Sequence, residues 1–328
     1  MLGMHGTYQA NMAMHHADLI VAIGARFDDR VTNDPSKFAP GAKVIHIDVD
    51  PASIAKIIPV EVPIVGAAQP VLRDMLALVR ERLEADSNAI DRDALGTWLS
   101  RIDAWRDAHG LDHDQRHRIE AGDPILPQVV VQSLYKATQG EAYVTSDVGQ
   151  HQMFAAQYYQ FDFTRRWINS GGLGTMGFGL PAAMGVKFAY PDAVVACVTG
   201  EGSIQMNIQE LSTCTQYGLP VKVINLNNAA LGMVRQWQDM QYGGRHSQST
   251  YQDSLPDFVK LVEAYGHVGI RVTALDELDA AMAAVFSEAH RDRLVFLDVC
   301  VDPNEPVYPM AIKGGAMNDM FLSKTERS

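Results

Sequence analysis

The chain has 328 residues, of which 47% are hydrophobic and 20% charged, a composition typical of a globular protein with a sizeable core. Its net charge of −12 argues against binding to nucleic-acid phosphates or to anionic membrane surfaces, because like charges repel. The sequence contains no apolar run of membrane-spanning length, and its start lacks the basic and apolar segments of a secretory signal.

The first part of the chain, residues 1–85, alternates apolar strands with helical segments. Strands are predicted at 19–24, 43–48 and 62–65, and an amphipathic helix at 71–83. This alternation is typical of a doubly wound α/β domain with a parallel sheet.

Residues 86–123 are polar and charged, with a helical stretch at 95–108, and predict a helical connector between domains. His109, His113 and His117 recur every four residues, as metal ligands on a helix can. Gly110 and the surrounding charges favour a solvated segment instead, so we assign no metal there.

The second part, residues 124–328, repeats the alternation of strands and helices and predicts a second parallel-sheet domain. Helices are predicted at 128–138, 206–217, 255–265 and 275–289, and strands at 142–146, 193–199, 221–226 and 294–301. The three cysteines, Cys197, Cys214 and Cys300, lie in apolar segments and are predicted to be reduced packing residues of a cytoplasmic protein.

The most informative segment, residues 198–228, reads as strand, glycine turn, helix and strand. Glu201 lies in the turn and Asn228 follows the second strand. Because a right-handed crossover places both carboxyl ends at one sheet edge, we expect these side chains to be neighbours. Their oxygens suit Mg²⁺ completed by phosphate, and the amides of Gly202 and Ser203 predict an anion cradle. The alternative is an ordinary turn in which glycine only permits a tight bend.

Two further segments carry candidate polar groups or glycines. Gln150 and His151 follow a predicted strand and can donate hydrogen bonds to phosphate oxygens, although His151 read alone is better explained as a structural histidine. The glycine-rich segment 171–185 includes Met176, which can simply fill core space in a flexible turn.

Residues 231–238 form a short amphipathic stretch. Met233 and Trp237 lie four positions apart and therefore share one face of a predicted helix. Ordinary hydrophobic packing explains this pattern as well as a functional role does.

These segments resemble the thiamine diphosphate (ThDP) enzymes, whose Gly-Asp-Gly and Asn-Asn signature appears here as Gly200-Glu201-Gly202 and Asn227-Asn228. Within them the chain resembles the acetolactate synthase large catalytic subunits, bacterial isozyme III type. The supporting stretches are HGTYQANMAMHHAD, GARFDDRVTN, SDVGQHQMFAAQYY, RRWINSGGLGTMGFGLPAAMG, LGMVRQWQDM and VYPM. One departure is Glu201 in place of the family's aspartate, which moves the carboxylate outward by about 1.5 Å and predicts weakened metal binding.

The resemblance implies roles for individual residues of the second domain. It assigns Glu201, Asn228 and Ala230 to the metal, and Gln150, His151, Gly174, Met176, Gly202 and Ser203 to ThDP. It assigns Met176, Met206, Met233 and Trp237 as catalytic residues. In the family the Gly174 carbonyl receives the aminopyrimidine amino group, Met176 holds the bent cofactor, and Trp237 contacts the acceptor ketoacid.

The resemblance also makes the first domain part of a central domain that binds structural FAD. The residues assigned to FAD are His5, Gly6, Thr7, Gly24, Arg26, Asp28, Arg30 and Asp48, with the two arginines near its charged middle. For any one of them alone, surface solvation is the better explanation, and the pair Asp28-Asp29 is read as a turn or an FAD contact.

The implied activity is decarboxylation of pyruvate and transfer of the two-carbon unit to a second 2-ketoacid, pyruvate or 2-ketobutyrate, in branched-chain amino acid synthesis. A homo-oligomer and a small regulatory subunit are expected. The family's pyrimidine-binding domain, with its essential glutamate, does not occur in this sequence, so the chain alone is expected to be inactive. The alternatives are a non-catalytic binding or assembly module, or another ThDP carboligase such as one acting on glyoxylate. A hydrolase is not predicted because no G-x-S-x-G motif occurs.

Overall fold

A computed structural model describes residues 1–251 and 253–326. It divides into two compact units, residues 1–111 with the segment that begins at Tyr308, and residues 112–307. Within the described residues, no helix has both the length and the apolar character that crossing a membrane requires.

The first unit contains a three-stranded parallel sheet in the order β1 (Leu19–Ile23), β2 (Lys43–Asp48), β3 (Val62–Val65). Its helices are α1 (Tyr8–His16), α2 (Asp29–Thr32), α3 (Ala68–Ala85) and α4 (Arg92–His109), and a 3₁₀ turn spans Pro35–Lys37. Two short antiparallel strands, Met310–Ala311 and Met320–Phe321, also belong to this unit. The three strands predicted from the sequence are confirmed.

The two compact units have different bounds from the predicted domains. The prediction made residues 86–123 a connector and assigned the C-terminal segment to the second domain. Helix α4 packs on α1, with the ring of His16 stacked on Trp105 at 5.4 Å. The Asn33 side chain donates to the Ile312 carbonyl at 2.6 Å, which attaches the C-terminal segment to the first unit. Such contacts between distant parts of the chain leave no periodic signal in the sequence.

The second unit contains six parallel strands and the helices between them. The strands are β4 (Tyr143–Ser146), β5 (Trp167–Asn169), β6 (Val195–Thr199), β7 (Lys222–Asn227), β8 (Val268–Val272) and β9 (Val295–Cys300). The helices are α5 (Pro127–Thr138), α6 (Gln150–Tyr158), α7 (Gly179–Ala189), α8 (Glu201–Ile204), α9 (Glu210–Tyr217), α10 (Gly232–Gln241), α11 (Phe258–Ala264) and α12 (Leu275–Val285), with 3₁₀ turns at Gln115–Arg118, Gln205–Asn207 and Glu288–His290. The α/β parallel-sheet class predicted from the sequence is confirmed.

The predicted helix 206–217 is wrong in its first part, because the chain breaks there into α8, a 3₁₀ turn and α9. Polar side chains compete with the main chain for hydrogen bonds at the break. The Asn207 side chain donates to the Gly177 carbonyl at 2.8 Å, and the Gln205 side chain donates to the Glu201 carbonyl at 2.7 Å.

The order of the sheet, β5-β4-β6-β7-β9-β8, explains where polar residues meet. The chain runs from β4 outward to β5 and then returns to the other side of β4 with β6, so the strand order reverses between β4 and β6. In open α/β sheets, ligands bind outside the carboxyl ends of strands at such a reversal. All five residues of β6 are buried, since helices cover both faces of the sheet.

A buried carboxylate connects three elements at this edge. Asp147, which follows β4 and is completely buried, accepts hydrogen bonds from the Gly179 amide at 3.0 Å and the Thr199 hydroxyl at 2.7 Å. Burial raises the pKa of Asp147, and the backbone amide of Gly179 and the Thr199 hydroxyl partly offset this effect. Asp147 therefore holds the start of α7 and the end of β6 against β4.

The start of α7 allows a stability prediction with a matched control in the same helix. A Cβ at Gly179 would lie 2.8 Å from the Asp147 amide nitrogen, whereas a Cβ at exposed Gly185 meets no atom of the described chain within 4 Å. We expect Gly179→Ala to lower the free energy of unfolding by about 1–3 kcal/mol, because close-packed main chain must move. Gly185→Ala should raise it by up to about 1 kcal/mol, since alanine favours helix. Urea denaturation measures both, and equal midpoints would contradict this account.

Candidate functional site

The carboxylate of Glu201 and the amide of Asn228 meet at the carboxyl edge of the sheet. Glu201 begins α8 and is separated from β6 only by Gly200, and Asn228 directly follows β7. The Ala230 amide donates to Glu201 Oε1 at 2.6 Å and to Asn228 Oδ1 at 3.1 Å. One donor shared by both oxygens shows that the two side chains converge, as the strand pairing predicts.

Glu201 is held in an environment that opposes its negative charge. The residue is 1% exposed, and burial raises the pKa of its carboxyl to about 7, with smaller opposing effects from backbone amides. A bound cation would reverse this effect, because an adjacent positive charge favours the ionised carboxylate. The described residues contain no group of three or more His, Cys, Asp or Glu side chains that could hold a metal. The donors that do converge, one carboxylate and one amide oxygen, fit Mg²⁺ completed by phosphate oxygens.

A cavity of about 180 Å³ lies beside this pair. Most of the residues assigned to the site by resemblance line it: Gln150, His151, Gly174, Met176, Glu201, Gly202, Ser203, Asn228, Ala230 and Met233. Met206 and Trp237 are not among its lining residues, and Met206 is 55% exposed on the 3₁₀ turn after α8. The tertiary structure thus gathers residues from four separate segments of the sequence.

His151 lies buried in the wall of the cavity. Burial lowers the pKa of its imidazole to about 3, so the ring is neutral at physiological pH, and an interaction with the Asp147 backbone opposes the shift. Its Nε2 has no hydrogen-bond partner among the described residues. A Cβ at Gly200 would lie 2.7 Å from Nδ1 and a Cβ at Gly149 2.6 Å from Cε1, so only glycine fits beside this ring. An unpartnered buried nitrogen in a cavity wall can bind a ligand.

The Ser203 amide, which the sequence places in an anion cradle, has a hydrogen-bond partner in its own turn. It donates to the Gly200 carbonyl at 3.0 Å, because the first turn of α8 closes on that residue, and the hydroxyl donates to the Val148 carbonyl at 2.8 Å. Ser203 lines the cavity, and its place in an anion cradle stays a prediction. A Cβ at Gly202 would lie 2.7 Å from Leu231 Cδ2 and 2.8 Å from the Tyr251 hydroxyl, so the absence of a side chain there keeps the cavity open.

Gln150 has partners that sequence reasoning missed. Its Nε2 donates to Gln236 Oε1 at 2.8 Å, and its Oε1 accepts from Asn228 Nδ2 at 3.1 Å. Gln236 and Asp147 were not identified from the sequence. The position of Asp147 directly after a predicted strand was a usable signal, whereas the interior polar position of Gln236 in a short helix was not.

In the first unit, Gly24 and Asp48 lie at the same edge of the sheet, at the carboxyl ends of β1 and β2. The Gly24 amide donates to the Ile47 carbonyl at 2.8 Å, and Asp48 accepts from the Asp50 amide at 2.9 Å. His5 is buried, and Gly6 and Thr7 precede α1 as predicted.

The arginines assigned to FAD are already paired with neighbouring acids. Arg26 lies 2.9 Å from Asp28, and Arg30 lies 2.8 Å from Asp29. Asp28 also accepts from the Arg30 amide at 2.9 Å and so caps α2, as the turn interpretation expects. The Arg30–Asp29 pair is solvent-exposed and the Arg26–Asp28 pair is partly exposed, so both can rearrange at small cost.

The histidines of the connector contact separate groups. The ring of His109 lies edge-on to Tyr8 at 4.8 Å, that of His113 to Tyr158 at 6.0 Å, and His117 Nδ1 lies 3.6 Å from an Asp112 oxygen. The structure does not bring the three rings together around one point.

Comparison with known proteins identifies two domains. Residues 147–299 match the family model described as "Thiamine pyrophosphate enzyme, C-terminal TPP binding domain", and residues 1–75 match "Thiamine pyrophosphate enzyme, central domain". Thiamine pyrophosphate is another name for ThDP.

Similar curated proteins match along the whole chain. It is 58% identical over 328 residues to "Acetolactate synthase isozyme 3 large subunit" of Escherichia coli, and 57% identical over 326 residues to "Acetolactate synthase large subunit" of Haemophilus influenzae, covering 55% of each protein. It is 40% identical to "Acetolactate synthase large subunit" of Cyanidium caldarium, covering 53% of it. The chain therefore spans about half the length of the curated relatives it matches.

The pKa of Glu201 predicts a stability that depends on pH. Because the folded-state pKa of about 7 exceeds the ordinary value of 4.5, folding favours the protonated form and stability is lost as pH rises between these values. In chelator-containing buffer, we expect Glu201→Gln to unfold like the unmodified chain at pH 4.5, and to be about 1–3 kcal/mol more stable at pH 8.

Chemical denaturation at several pH values measures this difference. Glu263→Gln, at an exposed position, is the control and should follow the unmodified chain throughout. A Glu201→Gln difference that stays constant with pH would show that the carboxyl ionises as freely in the fold as in water.

Proposed function

Because the chain belongs to the thiamine pyrophosphate enzymes and is similar throughout to acetolactate synthase large subunits, we propose that it carries the diphosphate-binding site of an acetolactate synthase. The proposed reaction decarboxylates pyruvate and transfers its two-carbon unit to a second 2-ketoacid, either pyruvate or 2-ketobutyrate. The observation that carries the proposal is the shared Ala230 amide, which aligns the oxygens of Glu201 and Asn228 at 2.6 and 3.1 Å beside the cavity.

The converging oxygens suit a cation that tethers the cofactor diphosphate. Glu201 and Asn228 would supply side-chain oxygens to Mg²⁺ and Ala230 a backbone oxygen, with phosphate oxygens completing the octahedron. The cation also stabilises the ionised form of Glu201, which burial alone disfavours. The negative charge of a bound diphosphate would favour protonation of His151 Nε2, which has no partner among the described residues, and this nitrogen would then donate to a phosphate oxygen.

The remaining cavity residues would shape and dry the site. Bound ThDP supplies an electron sink for 2-ketoacid chemistry, and the protein supplies binding, orientation and electrostatics. Met176 lines the cavity, where an apolar side chain can support a bent cofactor and exclude water. The Gly174 carbonyl would accept a hydrogen bond from the aminopyrimidine amino group. Gly174 has a left-handed backbone conformation (φ 67°), which a larger residue adopts only with strain.

Helix α10 is proposed as the cover of the site. Met233 on this helix lines the cavity, and Trp237 lies one turn further along the same helix. We assign Trp237 to selection of the acceptor ketoacid, and this role requires movement of α10 because the indole does not line the cavity in this structure. Met206, on the exposed 3₁₀ turn, would contact the reacting groups only after a similar rearrangement.

We further propose FAD in the first unit, with a structural role, since the reaction involves no net oxidation. The support is the common sheet edge of Gly24 and Asp48, where an acidic residue can bind a ribose. Arg26 and Arg30 would have to leave their ion pairs to reach the cofactor. A homo-oligomer, a small regulatory subunit and a cytoplasmic location belong to the same proposal.

Calorimetric titration with ThDP tests the metal site. Binding heat should require Mg²⁺, and Asn228→Leu should weaken the Mg²⁺-dependent affinity at least about tenfold, since the cation loses a ligand. The exposed Asn88→Leu is the control and should bind like the unmodified chain. Glu201→Asp should tighten the affinity if the extra methylene weakens metal binding. Heat that is independent of Mg²⁺ in the unmodified chain would sink the proposed site.

Complementation tests the catalytic proposal against a non-catalytic binding module. The portion of the Escherichia coli subunit that this chain does not match is expressed separately and mixed with the chain, ThDP, Mg²⁺, FAD and pyruvate. Formation of acetolactate is the expected result. ThDP binding without any product would favour the binding module, and a product from glyoxylate but not pyruvate would favour a different carboligase.

A further inference from the structure

The one buried residue of helix α10 is polar. Of its ten residues, all of which the structure describes, only Gln236 is buried, with 7% of its surface exposed. A surface helix usually docks through an apolar stripe, and its attachment then depends on apolar burial. Met233 and Trp237 are only partly buried, so the most buried contact of α10 is the amide group of Gln236.

The Gln236 side-chain amide forms hydrogen bonds with both main-chain polar groups of Val307. Its Oε1 accepts from the Val307 amide at 2.9 Å, and its Nε2 donates to the Val307 carbonyl at 3.2 Å. The same Oε1 accepts from Gln150 Nε2 at 2.8 Å. If α10 moved away, these buried groups would lose their partners unless water replaced Gln236, so the docked position is specified by hydrogen bonds.

Gln150 extends this connection to the metal-binding pair. Its Oε1 accepts from Asn228 Nδ2 at 3.1 Å, which fixes which end of the Asn228 amide faces the cavity. With Nδ2 committed to Gln150, Oδ1 lies 3.1 Å from the Ala230 amide, the same donor that Glu201 uses. An Asn228 amide turned the other way would present hydrogen atoms, which repel a cation.

We propose that Gln236 is a positioning residue that couples docking of α10 to the orientation of the metal-binding amide of Asn228, through Gln150. The inference rests on the proposed metal site. Docked α10 holds Gln150, Gln150 holds Asn228 with its oxygen toward the cation, and Met233 lines the cavity at the same time. Coupling of this kind is reciprocal, so binding of Mg²⁺ and ThDP also favours the docked helix.

Hydrogen–deuterium exchange of the 328-residue chain tests whether Gln236 holds α10 in its docked position, and it does not require catalysis. Gln236→Leu keeps much of the side-chain volume but leaves the Val307 groups and Gln150 Nε2 without this partner. Amides of residues 232–241 should exchange at least about tenfold faster, as expected from the loss of one or two buried hydrogen bonds. Gln241→Leu, at an exposed position of the same helix, is the matched control and should leave exchange unchanged. Unchanged exchange in Gln236→Leu would overturn the proposal.

The same measurements contain a check on the fold. Peptides from β6 and β7 should keep their protection in Gln236→Leu, because these buried strands do not contact Gln236 through any of the bonds above. If their protection falls as well, Gln236→Asn, whose amide is one methylene short of Val307 and Gln150, replaces it and is judged by the same criterion.

Titration with Mg²⁺ at saturating ThDP tests the coupling itself. In the unmodified chain the ligands should slow exchange of α10, and Gln236→Leu should raise the Mg²⁺ concentration for half-maximal ThDP binding about threefold to tenfold, whereas Gln241→Leu should not. Faster exchange of α10 with unchanged Mg²⁺ dependence would overturn the link to Asn228. Absence of ThDP binding by the unmodified chain would instead refute the proposed function. The exchange of α10 measured without ligands would still show whether Gln236 holds the helix in its docked position.

Discussion

The adjacency of parallel strands β6 and β7 is the constraint on which the site depends. Their carboxyl ends lie side by side, so residues far apart in the chain become neighbours, and the Ala230 amide then bonds to both Glu201 and Asn228. Either side chain alone would offer a cation only one ligating group. Their convergence at a reversal of strand order, next to an open cavity, is what makes the edge suitable for a metal and a diphosphate.

This arrangement buries carboxylates away from water, which disfavours their ionised forms. Burial raises the pKa of Glu201 to about 7, so without a cation the folded protein favours the protonated form of this side chain. Burial also raises the pKa of Asp147, but hydrogen bonds from the Gly179 amide and the Thr199 hydroxyl favour its ionised form and partly offset this effect. The first carboxylate is therefore suited to binding a cation, and the second to fixing the backbone around it.

A third buried acid supports the end of β7. Asp298 Oδ1 accepts from the side chains of Asn225 at 2.9 Å and Asn227 at 3.1 Å, and its other oxygen lies 3.1 Å from Arg271 Nε. Asn227 in turn accepts from the Ala229 amide at 3.2 Å, in a turn where Ala229 has a φ of 53°. The first asparagine of the Asn-Asn pair thus shapes the turn, which leaves the second, Asn228, free to face the cavity.

The sequence by itself determined the α/β class and the strands that carry the site, and its resemblance to a known family assigned about half of the residues that line the cavity. The class and the strands follow from local patterns, since buried strands are short apolar runs, and Gln150, Glu201 and Asn228 lie within a few residues of strand ends. Tertiary structure alone decided the helix break before α9, the edge strands β5 and β8, the grouping of the C-terminal segment with the first unit, and the roles of Asp147 and Gln236. It also decided that Met206 and Trp237 lie outside the cavity wall. Each of these depends on hydrogen bonds or packing between residues distant in sequence, and such contacts leave no periodic trace in a single chain.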